Sequence, residues 1–111
     1  MHREAIAIDA ELALLPDVDP RAAGGEVTVA LCGHWDHNGP CRWPHHNHLD
    51  TDATPAHLRS VVVVPGEDRN EVVHRVEVAL RGDERWSLVR FEVGAIDTDE
   101  QELADRLSHT G

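Results

Sequence analysis

The sequence predicts an α+β protein: a small antiparallel β-sheet of four to five strands with a C-terminal helix and a long Cys/His-rich insertion between strands. Three observations lead there. Apolar and polar residues alternate over 5–14, four consecutive valines close the segment 57–64, and a capped, acidic start precedes an apolar stripe at 97–107. At 111 residues the chain is expected to be one domain, 1–111, burying roughly 65% of its unfolded surface.

In chain order, "AIAIDAELAL" (5–14) places Ile6, Ile8, Ala10, Leu12 and Leu14 at every second position, the period of a half-buried strand. Its alanines, leucines and glutamate keep a helix open as the alternative. "PDVDPRAAGG" (16–25) reads as a loop from its proline, glycine and aspartate. "EVTVALC" (26–32) alternates again, with Val27, Val29 and Leu31 on one face and Thr28, Ala30 and Cys32 on the other. "HLRSVVVV" (57–64) is a β-branched strand closed by "PGEDRN". "EVVHRVEVALR" (71–81) and "RWSLVRFEVGAI" (85–96) are expected to form a hairpin joined by "GDE", with His74, Val76, Val78 and Leu80 sharing a face. "DTDEQELADRL" (97–107) offers Asp97 or Thr98 as N-cap, Glu100 or Gln101 three residues on, and Leu103, Ala104 and Leu107 along one stripe, which predicts the helix.

Charge narrows the partners. Twenty-one acidic residues face ten arginines and no lysine, for a net charge of −11, which argues against nucleic acid or an anionic membrane and favours a cationic ligand. The opening "MHREAIAIDAELALL" lacks the basic and uninterrupted apolar regions of a signal peptide, and no stretch approaches the ~20 apolar residues that span a bilayer. The expected location is therefore the cytoplasm, where two cysteines serve as thiols or metal ligands rather than as a disulfide. Arginine, alanine, valine and glycine without lysine fit a GC-rich, bacterial source.

The chemistry concentrates in "CGHWDHNGPCRWPHHNH" (32–48). This segment holds both cysteines and five of the nine histidines, where an even distribution would place one or two histidines. Imidazole and thiolate are the ligands of Zn²⁺, with Cu or Ni²⁺ as alternatives, and a tetrahedral zinc site needs four of them. Seven are on offer: Cys32, His34, His37, Cys41, His45, His46 and His48.

A four-residue turn on "HNGP" would pair Asp36 with Cys41 and Cys32 with His45 across a hairpin. One face then collects Cys32, His34, Asp36, Cys41, Trp43 and His45, and the other Gly33, Trp35, His37 and Arg42. Cys32 and Cys41 would stand about 13 Å apart, too far to share an ion. Cys32, His34 and His45 could share one, with water, His57 or His74 in fourth place. Trp35 and Trp43 are expected as packing anchors and His74 as a satisfied core histidine.

The leading expectation is thus a zinc-binding or sensing module. One rival is an enzyme whose open three-ligand site activates water, with Asp36 or Asp50 as general base. Another is a metal-free histidine-rich domain that docks a protein partner. A Cys32 nucleophile with a histidine base has weaker support, and "RGD" (81–83) is read as a turn. Phosphate-loop, HExxH and CxxC motifs are absent.

Overall fold

The computed structural model describes residues 3–32 and 43–108. Its elements run β1 (Arg3–Leu14), α1 (Arg21–Cys32), β2 (His45–Asp50), β3 (Ala56–Pro65), α2 (Arg69–Arg81), β4 (Trp86–Ala95) and α3 (Gln101–Ser108). The strands form one antiparallel sheet in the order β2-β3-β1-β4. The α+β class, the four-stranded antiparallel sheet and the C-terminal helix agree with the expectation. The Cys/His-rich segment joins a helix to a strand rather than two strands, and its residues 33–42 lie outside the described residues.

Two expected strands are helices, and the buried positions show why. In α1 the residues packed inward are Ala23, Val27 and Leu31, spaced by four. That spacing is helical, and it competes with the two-residue alternation of Val27, Val29 and Leu31. The start is fixed by Asp19, whose side-chain Oδ1 accepts the Arg21 N–H at 2.9 Å and whose carbonyl accepts the Ala22 N–H at 3.0 Å. Pro20 then occupies a position that needs no N–H. The expected loop at 16–25 therefore ends at Pro20.

The segment 71–81 is likewise helix α2, so the expected hairpin over 71–96 does not form. Its buried residues are Val72, Val76 and Leu80, again spaced by four, whereas Val78 is 55% exposed. Ion pairs Glu71–Arg75 and Glu77–Arg81, both at 2.8 Å, close the i, i+4 pattern on the solvent side. The tripeptide at 81–83 ends this helix, the Gly82 N–H donating to the Val78 carbonyl at 3.0 Å. β2 is an additional strand. Its six residues "HHNHLD" contain one strongly apolar side chain, so no hydrophobic alternation announces it.

The resulting βαββαβ connectivity, with β1 and β3 at the centre of the sheet, is that of the ferredoxin-like, split βαβ fold. That fold hosts many unrelated activities, so function must be argued from particular side chains. One sheet face packs Ile6, Ile8, Ala10 and Leu12 of β1 and Leu58, Val62 and Val64 of β3 against the inward stripes of α1 and α2. Val89 is the extra residue where β4 slips against β1 between Glu11 and Leu12, and it is exposed accordingly.

The other face divides in two. Ala7, Val61 and Val63 are buried there, and α3 packs against β3 with Ala104 buried. The remainder carries Asp9, Glu11, His57, Arg59, Arg90 and Glu92, with His46, His48 and Asp50 of β2 alongside.

Candidate functional site

Of the seven candidate ligands, Cys32, His45, His46 and His48 belong to described elements, and these divide them between the end of α1 and β2. Cys32 is the last residue of α1, not the first strand residue of a hairpin, so the expected cross-strand pairing of Cys32 with His45 is corrected. His34, His37 and Cys41 lie outside the described residues, as do Trp35, Asp36 and the turn at 37–40. His45, His46 and His48 all belong to β2, where alternation puts His45 on the helix-covered face and His46 and His48, both exposed, on the opposite one. His57 is also on that opposite face, its Nε2 2.9 Å from Asp9 Oδ1. His74 is exposed on α2 rather than buried in a strand. Asp50 is exposed at the end of β2, and its Oδ1 accepts the Asp52 N–H at 3.0 Å.

His45 is the described candidate with the most constrained environment. Its Nδ1 is 3.0 Å from the Trp43 carbonyl and its Nε2 is 3.0 Å from the Thr28 hydroxyl. A carbonyl can only accept, so Nδ1 carries the proton, and in the neutral ring the Nε2 lone pair faces Thr28. Thr28 belongs to α1, and the backbone of Cys32 lies one helical turn further on.

The contact continues across the sheet. Asn47 Nδ2 donates to the Gly24 carbonyl at 3.0 Å and to Thr28 Oγ1 at 3.4 Å, while Asn47 Oδ1 accepts the buried Ser60 hydroxyl at 2.7 Å. A polar seam thus fastens β2 to α1 on one side and to β3 on the other. The two elements approach closely here: a Cβ at Gly24 would stand 3.4 Å from that of Asn47, at the near edge of ordinary van der Waals contact.

Trp43 lies within the segment, two residues before His45, and is 1% exposed. Its indole N–H donates to Asp68 Oδ2 at 3.1 Å, and the Arg75 guanidinium lies 5.0 Å from its ring centroid. The expectation of a packing anchor holds for Trp43. Because Trp43 also supplies the carbonyl that His45 addresses, the anchor fixes the imidazole as well.

The opposite face holds a second cluster that sequence reasoning missed. Arg59 Nη1 donates to both oxygens of Asp9, at 2.9 and 2.7 Å, and its Nε and Nη2 donate to the Glu100 carboxylate at 2.7 and 2.6 Å. The Arg59 guanidinium holds the Glu100 carboxyl down at about 2, assisted by the Asp97 N–H and opposed by desolvation, while Glu100 and Asp9 raise the Arg59 pKa. Beside this cluster a cavity of about 250 Å³ is lined by Asp9, Glu11, His57, Arg90 and Glu92. The residues involved are far apart in sequence, so no local motif pointed to them. The strand register and the packing of the turn before α3 on β3 bring them together.

Among the described residues, no three His, Cys, Asp or Glu side chains are grouped so as to hold a metal ion. No family model matches the chain, and no curated protein matches it. Among the described residues no helix is long and apolar enough to cross a membrane.

Proposed function

We propose that this chain is a small transition-metal-binding module, zinc being the ion its ligand types suit, with His45 and Cys32 as ligands and the rest of the shell drawn from His34, His37 and Cys41. The observation that carries this is the bond from His45 Nδ1 to the Trp43 carbonyl. Zinc-ligating histidines characteristically donate their second ring N–H to a carbonyl or carboxylate, which fixes the tautomer and aims the other nitrogen. His45 has that arrangement, with Nε2 on the α1 side of β2, the side on which the chain enters the segment at Cys32. The carbonyl end of α1 favours a cation, and no basic side chain occupies its last turn. His46 and His48 face away across β2 and stand outside this shell. A reducing, cytoplasmic setting that keeps both cysteines as thiols belongs to the same proposal.

The test is a zinc titration against a competing chelator. Cys32→Ser and His45→Ala should each weaken binding at least tenfold, whereas His46→Ala and His48→Ala should stay within about twofold of the wild type. Loss of binding in the second pair with retention in the first would contradict the assignment.

A further inference from the structure

His45 Nε2 has one lone pair. The Thr28 hydroxyl sits on it at 3.0 Å, and a bound ion needs the same lone pair. The two arrangements exclude each other. Resting on the metal reading above, we infer that Thr28 is a built-in competitor for the ion at His45 and that its release passes the binding event into the seam between α1 and β2.

The coupling follows from the shared partners of Thr28 and Asn47. Thr28 Oγ1 also receives the weak 3.4 Å contact from Asn47 Nδ2, whose shorter bond goes to the carbonyl of Gly24, four residues before Thr28 on the helix. A helical threonine hydroxyl that loses its partner turns back to the carbonyl four residues earlier. Once displaced by the ion, Thr28 therefore takes up the acceptor that Asn47 uses. Gly24, Thr28 and Asn47 line a groove of about 420 Å³ together with Leu49 and Leu58. The donors and acceptors on that surface are rearranged by ion binding at the far side of Thr28, which is what a sensing module requires. By linkage, anything that holds the Thr28 hydroxyl in the groove tightens the site for the ion.

Zinc affinities of wild type, Thr28→Val and Thr28→Ser, measured by chelator competition on the full chain, test this directly. Valine removes the competing hydroxyl and leaves Asn47 its bond to Gly24, so Thr28→Val should bind zinc roughly 2- to 10-fold more tightly, the worth of one net hydrogen bond. Serine keeps the hydroxyl and should stay within about twofold of wild type. The side-chain amide resonances of Asn47 should shift with zinc occupancy in the wild type, a measurement that decides the matter even if Thr28→Val fails to fold. An unchanged or weaker affinity in folded Thr28→Val, or an Asn47 amide that zinc leaves in place, overturns the inference while the metal site stands. A wild type that binds no zinc removes the metal reading itself, and this inference with it.

Discussion

Arg59 and Glu100 meet through two parallel hydrogen bonds of 2.7 and 2.6 Å, tying the centre of the sheet to the turn that leads into α3. Both side chains are mostly shielded, at 23% and 19% exposure, and Arg59 uses its remaining nitrogen on Asp9. Glu100 also accepts the Asp97 N–H at 2.8 Å, completing a capping box. One guanidinium therefore orders β1, β3 and the start of the last helix.

The pH dependence of stability follows from Glu100. Its carboxyl is held at about 2 in the folded chain against an ordinary value of 4.5, so between these values the unfolded chain binds the extra proton. The stabilisation is complete above about pH 4.5 and is lost as pH falls towards 2. Glu100→Gln should cost about 2 kcal/mol at pH 7, and the gap to wild type should shrink steadily from pH 4.5 downwards. Urea unfolding at pH 7, 4 and 3 measures both. A gap that stays constant would mean that the ion pair carries no such weight.

The helical character of 69–81 predicts opposite outcomes at two neighbouring positions. Leu80 is fully buried, so Leu80→Ala should destabilise by roughly 2–5 kcal/mol. Val78 is exposed, and Val78→Ala should be neutral or stabilise by a few tenths of a kcal/mol, alanine being the better helix former. Thermal melts of the two variants suffice. Equal costs at both positions would restore the strand that alternation suggested.

Asn47 should matter more than its half-exposed position on an edge strand suggests. Asn47→Ala leaves the buried Ser60 hydroxyl and the Gly24 carbonyl without their present partner and should cost about 1–3 kcal/mol. Asn47→Ala combined with Ser60→Ala should recover part of that loss, since the stranded hydroxyl goes with it. A double-mutant cycle reads the coupling, and strict additivity would show that the seam is not a unit.

Trp43 offers a test that separates its packing from its polar bond. Trp43→Phe keeps a ring in the core but loses the bond to Asp68, and should cost roughly 1–2 kcal/mol. Trp43→Ala should cost about 3–5 kcal/mol and shift the side-chain resonances of His45, because the carbonyl that His45 addresses belongs to this residue. An unaltered His45 in folded Trp43→Ala would separate the anchor from the imidazole.

How far the sequence spoke depends on the element. β1, β3 and β4 were legible because alternation or a β-branched run matches their burial, and α3 because Asp97 and Glu100 form the capping box their spacing suggests. α1 and α2 read as strands because their valines satisfy two periods at once. Val76 and Leu80 sit four apart for a helix and an even number apart for a strand, and β-branching tips the choice the wrong way. The counter-signals were present in Asp19-Pro20 before α1 and in the Glu71–Arg75 and Glu77–Arg81 pairs of α2. β2 could not be read because an edge strand of histidines and an asparagine has little apolar pattern to show.

The candidate site was legible as composition and not as geometry. Seven candidate ligands of two types in seventeen residues single out the segment, but the expected hairpin register puts Cys32 in a strand with His45 opposite it. In the fold the two residues belong to a helix end and a strand start, and the contact that His45 makes with that helix runs through Thr28. That contact joins residues seventeen positions apart and leaves no local pattern.

The most direct measurement is the metal content of the untagged, purified chain by elemental analysis and native mass spectrometry at pH 7.5. About one zinc ion per chain is expected, retained in His46→Ala and lost in His45→Ala. A folded wild-type chain that carries only trace metal, and whose melting temperature does not move when zinc is added, would contradict it.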